Sequence, residues 1–415
     1  MYNDEILNDL NQKVYNVDPS YRESITYVTK PDNELTGKEK NVVIVQCYDN
    51  NKVIEKKYKV VASADIDNNG YQGFAVAPIT DAYPQGDPNN VAVISAGTTP
   101  PSLVGGEGSD DWMDFFTAFT AKDTKNGGSL QTKQADDFLD FVVNKQGYNV
   151  TQLSGYSQGA YMLKLGAKWK IPTTVFNGWF LYDSLNEDEK KFMLENPELF
   201  RNYRKLDDST VNLLDGNKRD KITDFGTIFW LDGDSHSIKD WTFDKDGNVV
   251  FGKTENPTVK MSQIARQASL QKWALFQLKK KFTASGGGLS ANEQIYLDDS
   301  EALIAVEAAS AMNKTMSDSI KKKYQNAIDK AEQLWQKTEQ AAKNIGTTLN
   351  HTEVMDALES GGASKRSIVD EPVSEYKDKI TQMESQAEAY ESLISEIKTS
   401  IAQLIAKDQL LAGQI

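Results

Sequence analysis

The sequence predicts an α/β domain followed by an all-α antiparallel helical hairpin, and three observations carry that prediction. Residues 40–98 are dense in strand-like apolar runs. From there to residue 283, short apolar strands alternate with amphipathic helical patterns. Beyond a Gly-rich break the chain is helical in composition throughout. Its 415 residues are long for one domain and comfortable for two.

The first strands are read from Val42 (VVIVQCYD), Lys52 (KVIEKKYKVVASA), Gly70 (GYQGFAVAPI) and Val91 (VAVISAG), separated by Asp, Asn and Gly turns. Cys47, the one cysteine, excludes an intramolecular disulfide, and its apolar neighbours Val43 and Val45 predict a buried structural thiol. After Gly97, Asp110–Phe116 and Ala135–Val143 place apolar residues at helical spacing. Strands are expected at Asn149–Leu153, Thr173–Phe176, Thr210–Leu214 and Thr227–Trp230, and a helix at Met261–Phe282. Such alternation is the pattern of a mostly parallel sheet covered on both faces.

The run Thr283-Ala284-Ser285-Gly286-Gly287-Gly288 predicts a domain boundary, giving 1–283, a linker 284–289 and 290–415. In the last part Ile380, Met383, Ala387, Tyr390, Ile394, Ile397, Ile401 and Leu404 alternate steps of three and four, a heptad seam. A weaker seam runs through Ala327, Ala331 and Ala341. The segment Gly346–Ile368 between them suits a connection, so two long helices should pack as a hairpin.

A formal charge of −14 argues against nucleic acid as a partner, because backbone binding needs a basic footprint. The first residues, MYNDEILNDLNQKVYN, lack the charged and apolar regions of a cleaved signal peptide. No run approaches the roughly 18 apolar residues of a membrane span. On composition alone a cytoplasmic location is the default expectation. Asp65–Gly70 resembles the opening of a calcium loop but has Val76 where Glu belongs, so a β-turn is expected, and no metal.

The chemistry lies in Gly155-Tyr156-Ser157-Gln158-Gly159, a G-x-S-x-G motif with a strand running in and a helix running out. That context predicts a nucleophile elbow, with Ser157 held exposed on a tight turn, and hence an α/β-hydrolase domain. A serine hydroxyl needs a base to take its proton. Of the two histidines, His351 lies in the helical region, so His236, on a polar loop after Thr227–Trp230, is the candidate. The acid should follow a strand between the two. Asp220 is favoured, with Asp215 and Asp224 open and Asp183 further off. Backbone N–H groups of Gln158 and Thr98 are the candidate oxyanion donors, and Thr99–Asp110 a candidate lid.

Ile94–Thr98, Asp111-Trp112, Gly155–Ala160 and His236–Trp241 together resemble the class 3 lipases, in particular a bacterial branch of them, over residues 40–255. The resemblance implies hydrolysis of lipid carboxyl esters without metal or cofactor. With the helical hairpin behind it, the whole chain resembles lipase toxins exported by the type VII secretion system, in which the LXG targeting helices come last. It implies a secreted phospholipase A, A1-type, with small helical targeting partners on residues 290–415, an immunity protein, and export without a cleaved signal peptide. The tripeptide Leu411-Ala412-Gly413 is too short to add to this. Two rival readings are a cytoplasmic carboxylesterase with a helical oligomerisation arm and a non-catalytic binding protein on a hydrolase scaffold.

Overall fold

The computed structural model describes residues 2–17, 42–49, 52–66, 71–97, 130–214, 226–252, 255–284 and 289–412. The chain divides into two compact units, Met1–Ser269 and Leu270–Ile415. The division falls within the helix Pro257–Ala284, ahead of the Gly-rich run, of which residues 285–288 lie outside the described residues.

The first unit is built on one mixed eight-stranded sheet whose strands lie in chain order: β1 (Val42–Asp49), β2 (Lys52–Ile66), β3 (Tyr71–Pro78), β4 (Val91–Ser95), β5 (Val150–Tyr156), β6 (Thr173–Phe176), β7 (Phe200–Lys205) and β8 (Ile228–Leu231). The first four form an antiparallel meander, and β4 to β8 run parallel. Burial follows from the sequence pattern. In β1, Val43, Val45 and Cys47 point into the core while Ile44 and Tyr48 are exposed, as an edge strand with one wet face requires. In β3, β4 and β6 nearly every position is buried, which is why their apolar runs are continuous. The crossovers among the parallel strands include the helices α2 (Leu130–Asp140), α3 (Met162–Trp169), α4 (Glu187–Glu195) and α5 (Ser209–Leu214), while α6 (Pro257–Ala284) follows β8.

Two elements depart from the sequence reading. Thr210–Leu214, expected as a strand, lies in α5, because the strand slot between β6 and β8 is taken by β7. β7 reads FRNYRK, too cationic to look like a central strand, yet all six residues are buried. Its charges are matched side by side. Arg201 donates to Thr174 Oγ1 at 2.6 and 2.9 Å and lies 3.5 Å from the Asp4 carboxylate. Arg204 stacks over Trp230, and Lys205 Nζ donates to the Asp240 carbonyl.

Asp4 belongs to a helix in the polar N-terminal segment, to which the sequence reading assigns no element. α1 (Asp4–Lys13) is capped by the Asn3 side chain and packs Ile6, Leu7 and Leu10 fully into the core. Asp4 also accepts from Tyr203 Oη (2.6 Å) and from Arg266 of α6 (3.3 Å). Burial pushes the Asp4 carboxyl up, but the Arg266 and Arg201 guanidiniums and the Tyr203 hydroxyl outweigh it and hold it below its ordinary value. A carboxylate depressed in the folded state adds stability that is full above its unfolded value and is lost only as pH falls through the folded one. Asp4→Ala strands two buried guanidiniums, so unfolding of the unit at neutral pH is expected to come about 3–5 kcal/mol more easily, read as a lower urea midpoint.

The second unit contains α7 (Ala291–Ile345), α8 (His351–Ser360) and α9 (Glu371–Ala412). α7 and α9 pack against each other, with Tyr324 on Tyr376 and an inter-helix bond from Ser310 Oγ to Glu391 at 2.8 Å. The expected connection holds a helix of its own, α8, opened by an Asn350–Glu353 capping box. Of the eight positions of the heptad seam, two are buried, three half-buried and three exposed. Ile394 and Ile401 are buried, whereas Tyr390, Ile397 and Leu404 are 41, 38 and 55% exposed. Among the described residues no helix is long and apolar enough to cross a membrane.

Candidate active site

The carboxyl ends of the parallel strands converge on one place. Ser95 of β4 stands beside Gly155 of β5, Tyr156 beside Phe176 of β6, Phe176 beside Tyr203 of β7, and Lys205 beside Leu231 of β8. Chain leaving these ends carries Gly97, Ser157, Asn177, Asp208 and His236. This is where open parallel sheets place their ligands.

Ser157 sits on a left-handed backbone, φ +55°, rare for a residue with a side chain and costing on the order of 1–3 kcal/mol. The small residues of the motif make that turn possible. A Cβ on Gly155 would meet the Gly159 carbonyl oxygen at 2.1 Å, and one on Gly159 would lie 2.9 Å from the carbonyls of Ser95 and Ala96. The turn then runs into a short 3-10 segment, Ser157–Tyr161, and on into α3.

Ser157 Oγ lies 2.8 Å from His236 Nε2, and His236 Nδ1 lies 2.6 Å from Asp208 Oδ2. An ionised carboxylate only accepts, so Nδ1 carries the proton and Nε2 presents its lone pair to the hydroxyl. Asp208 is 99% buried on its side chain, while His236 keeps a quarter of its side chain accessible. The other Asp208 oxygen accepts from the N–H groups of Thr210 (2.9 Å) and Val211 (3.3 Å), so the carboxylate also caps α5.

The histidine loop is held by its backbone. Tyr156 Oη donates to the His236 carbonyl at 2.7 Å; burial, helped by the nearby Asp208 charge, raises this hydroxyl well above its ordinary value and keeps it a donor. Asn177, itself left-handed at φ +46°, donates to the carbonyls of His236 (2.9 Å) and Ser235 (3.2 Å). The Trp179 ring stacks over the imidazole with centroids 6.1 Å apart.

Of the residues singled out from sequence, the structure brings Ser157 and His236 together. Gln158 follows Ser157 in the 3-10 segment, its side chain bonded to Gln131 at 2.6 Å. His351 opens α8 in the second unit. Thr98, the lid candidate 99–110, and Asp215, Asp220 and Asp224 lie outside the described residues. Asp183 is exposed in the turn Tyr182–Ser184. The sequence favours Asp220 as the acid, whereas the carboxylate that meets His236 Nδ1 is that of Asp208. Asp208 is hard to see in the sequence because Thr210–Leu214, a helix, has the pattern of the strand that the acid should follow. The available signal was Asp208-Ser209-Thr210, a helix N-cap directly behind β7.

Comparison with protein-family models, with curated proteins and with solved structures finds no match. A buried carboxylate orienting an imidazole, which faces a serine on a strained turn, is an arrangement for activating a hydroxyl toward an acyl carbonyl.

Proposed function

We propose that the first unit is a serine carboxylic ester hydrolase with an α/β-hydrolase fold. The observation that carries this reading is the continuous chain Ser157 Oγ, His236, Asp208 at 2.8 and 2.6 Å. His236 takes the hydroxyl proton as Ser157 attacks the acyl carbonyl, then returns it to the departing alcohol. Asp208 holds the ring and stabilises the imidazolium. The amide of Gln158, with that of Thr98, is the proposed oxyanion pair. Water, activated by His236, then releases the acid.

Within that class we assign a lipid substrate, with phospholipase A activity of A1 type favoured, and a role as an antibacterial toxin exported by a type VII secretion system. These parts rest on resemblance: the order of the motifs to class 3 lipases, and the trailing helical hairpin to lipase toxins. The half-open seam at Tyr390, Ile397 and Leu404 supports small helical partners on residues 290–415, since a two-helix rod leaves apolar rows that further helices cover. A cognate immunity protein and an extracellular destination without a cleaved signal peptide belong to the same reading.

The full chain should be treated with a fluorophosphonate probe and then given phospholipids with distinct acyl chains at sn-1 and sn-2. Labelling confined to Ser157 and release of the sn-1 acid are the expected results. A folded protein that takes no label sinks the esterase reading. Labelling with turnover only of short soluble esters favours the carboxylesterase, with the hairpin as an oligomerisation arm. Deletion of 290–415 should keep the lipase inside the producing cell; an unaltered extracellular yield would refute the targeting role.

A further inference from the structure

We propose that the first helix and the turn after it form a positioning element of the catalytic site, with Tyr15 holding the loop that leaves β4. This rests on the esterase reading. Asp4, Asn8 and Asn11 follow one another in steps of four and three on one face of α1, and Tyr15 comes four residues later in the turn Val14–Val17. Asp4, Asn8 and Asn11 are buried, at 2, 2 and 0% exposure. A helix that only sealed the sheet would dock on apolar side chains, and Ile6, Leu7 and Leu10 already do so. Burying amides and a carboxylate beside them is unfavourable unless each finds a partner.

Each of the four partners belongs to a different part of the site. Asp4 accepts from Tyr203 of β7, the strand that leads to Asp208. Asn8 Nδ2 donates to the Ile238 carbonyl, two residues past His236, at 3.1 Å. Asn11 Nδ2 donates at 2.7 Å to Ser154 Oγ, three residues before the nucleophile, and Ser154 in turn donates to the Thr174 carbonyl at 2.7 Å. Tyr15 Oη accepts the Gly97 N–H at 3.0 Å. One short segment thus grips the acid strand, the histidine loop, the nucleophile strand and the loop beside the nucleophile.

The Tyr15 bond is the most telling, because Gly97 leans on Ser157 itself. A Cβ at Gly97 would lie 2.6 Å from the Tyr156 carbonyl oxygen and 3.1 Å from Ser157 Cβ. With its N–H engaged by Tyr15, the Ala96–Gly97 peptide plane is fixed against the elbow. Oxyanion donors act only within a narrow distance of the developing charge, so a small swing of this loop should cost transition-state binding more than substrate binding.

The test is Tyr15→Phe in the full chain, with Tyr2→Phe as the comparison. Tyr2 lies on the same segment, and its hydroxyl donates to the carbonyls of Val76 and Asn90 at 2.9 Å, away from the triad. Tyr15→Phe should lower kcat about tenfold or more with KM little changed. Its affinity for an acyl trifluoromethyl ketone, which forms the tetrahedral adduct on Ser157, should fall by the same factor as kcat/KM. Tyr2→Phe should lower the thermal midpoint and leave kcat alone. A kcat for Tyr15→Phe no lower than that of Tyr2→Phe, in a wild type that labels and turns over, overturns the positioning role by itself. Asn8→Ala, which releases the Ile238 carbonyl, gives an independent arm with the same expected split between kcat and KM. A wild type that neither labels nor hydrolyses removes the esterase reading and this role with it.

Discussion

Ser157→Ala is expected to reduce kcat for ester hydrolysis on the order of 10⁴-fold or more while the first unit stays folded. Its Oγ is the hydroxyl that lies against His236 Nε2, at 2.8 Å, so on the proposed mechanism its removal leaves His236 with nothing to deprotonate except water. Ser154, the nearest other serine in the motif strand, cannot stand in. Its hydroxyl is fully buried, tied to Asn11 and to the Thr174 carbonyl. The substitution should not disturb the turn, because alanine carries the same Cβ and the φ of +55° is imposed by the strand and helix on either side. Turnover of a chromogenic acyl ester, measured beside far-ultraviolet circular dichroism, checks both halves. Retention of more than about a tenth of wild-type turnover would point to a different nucleophile.

How much of this was readable in the sequence depended on whether the informative contacts were local. The elbow was readable because its requirements sit within five residues: two glycines where Cβ atoms would collide, and a serine between them. His236 followed from scarcity, since the chain has two histidines and the other lies in the helical unit. The strands β1, β3, β4 and β6 were legible because their burial is written as alternation or as continuous apolar runs. β7 was not. Arg201, Arg204 and Lys205 argue against a central strand until Asp4, Thr174, Trp230 and Asp240 arrive from distant parts of the chain to match them. The same long-range pairing underlies α1, whose polar Asp4, Asn8 and Asn11 are buried. Because FRNYRK does not look like a strand, the sequence pattern points one element too far along, from Asp208 to the aspartates beyond Leu214.

Asp208→Asn is the expected result that tests this correction. Asparagine has the shape of aspartate, and its carbonyl oxygen can still accept from Thr210 and Val211, so α5 keeps its cap and the unit should unfold at an unchanged denaturant concentration. What changes is the group facing His236 Nδ1, where a carboxylate oxygen stands at 2.6 Å in the wild type. With the amide carbonyl turned to the helix, the NH₂ donates to Nδ1. The ring must then carry its proton on Nε2, which points at Ser157 with a donor where an acceptor is needed. The imidazolium formed on attack also loses the buried negative charge beside it. A carboxylate-to-amide change of this kind lowers kcat by about 10⁴-fold in serine proteases, and a loss of that order is expected here with KM little altered. Asp220→Asn, made in parallel, should keep most of the wild-type turnover. If Asp220→Asn proved the more damaging change while both proteins stayed folded, Asp208 would be a helix cap and no more, and the acid would have to be sought again beyond Leu214.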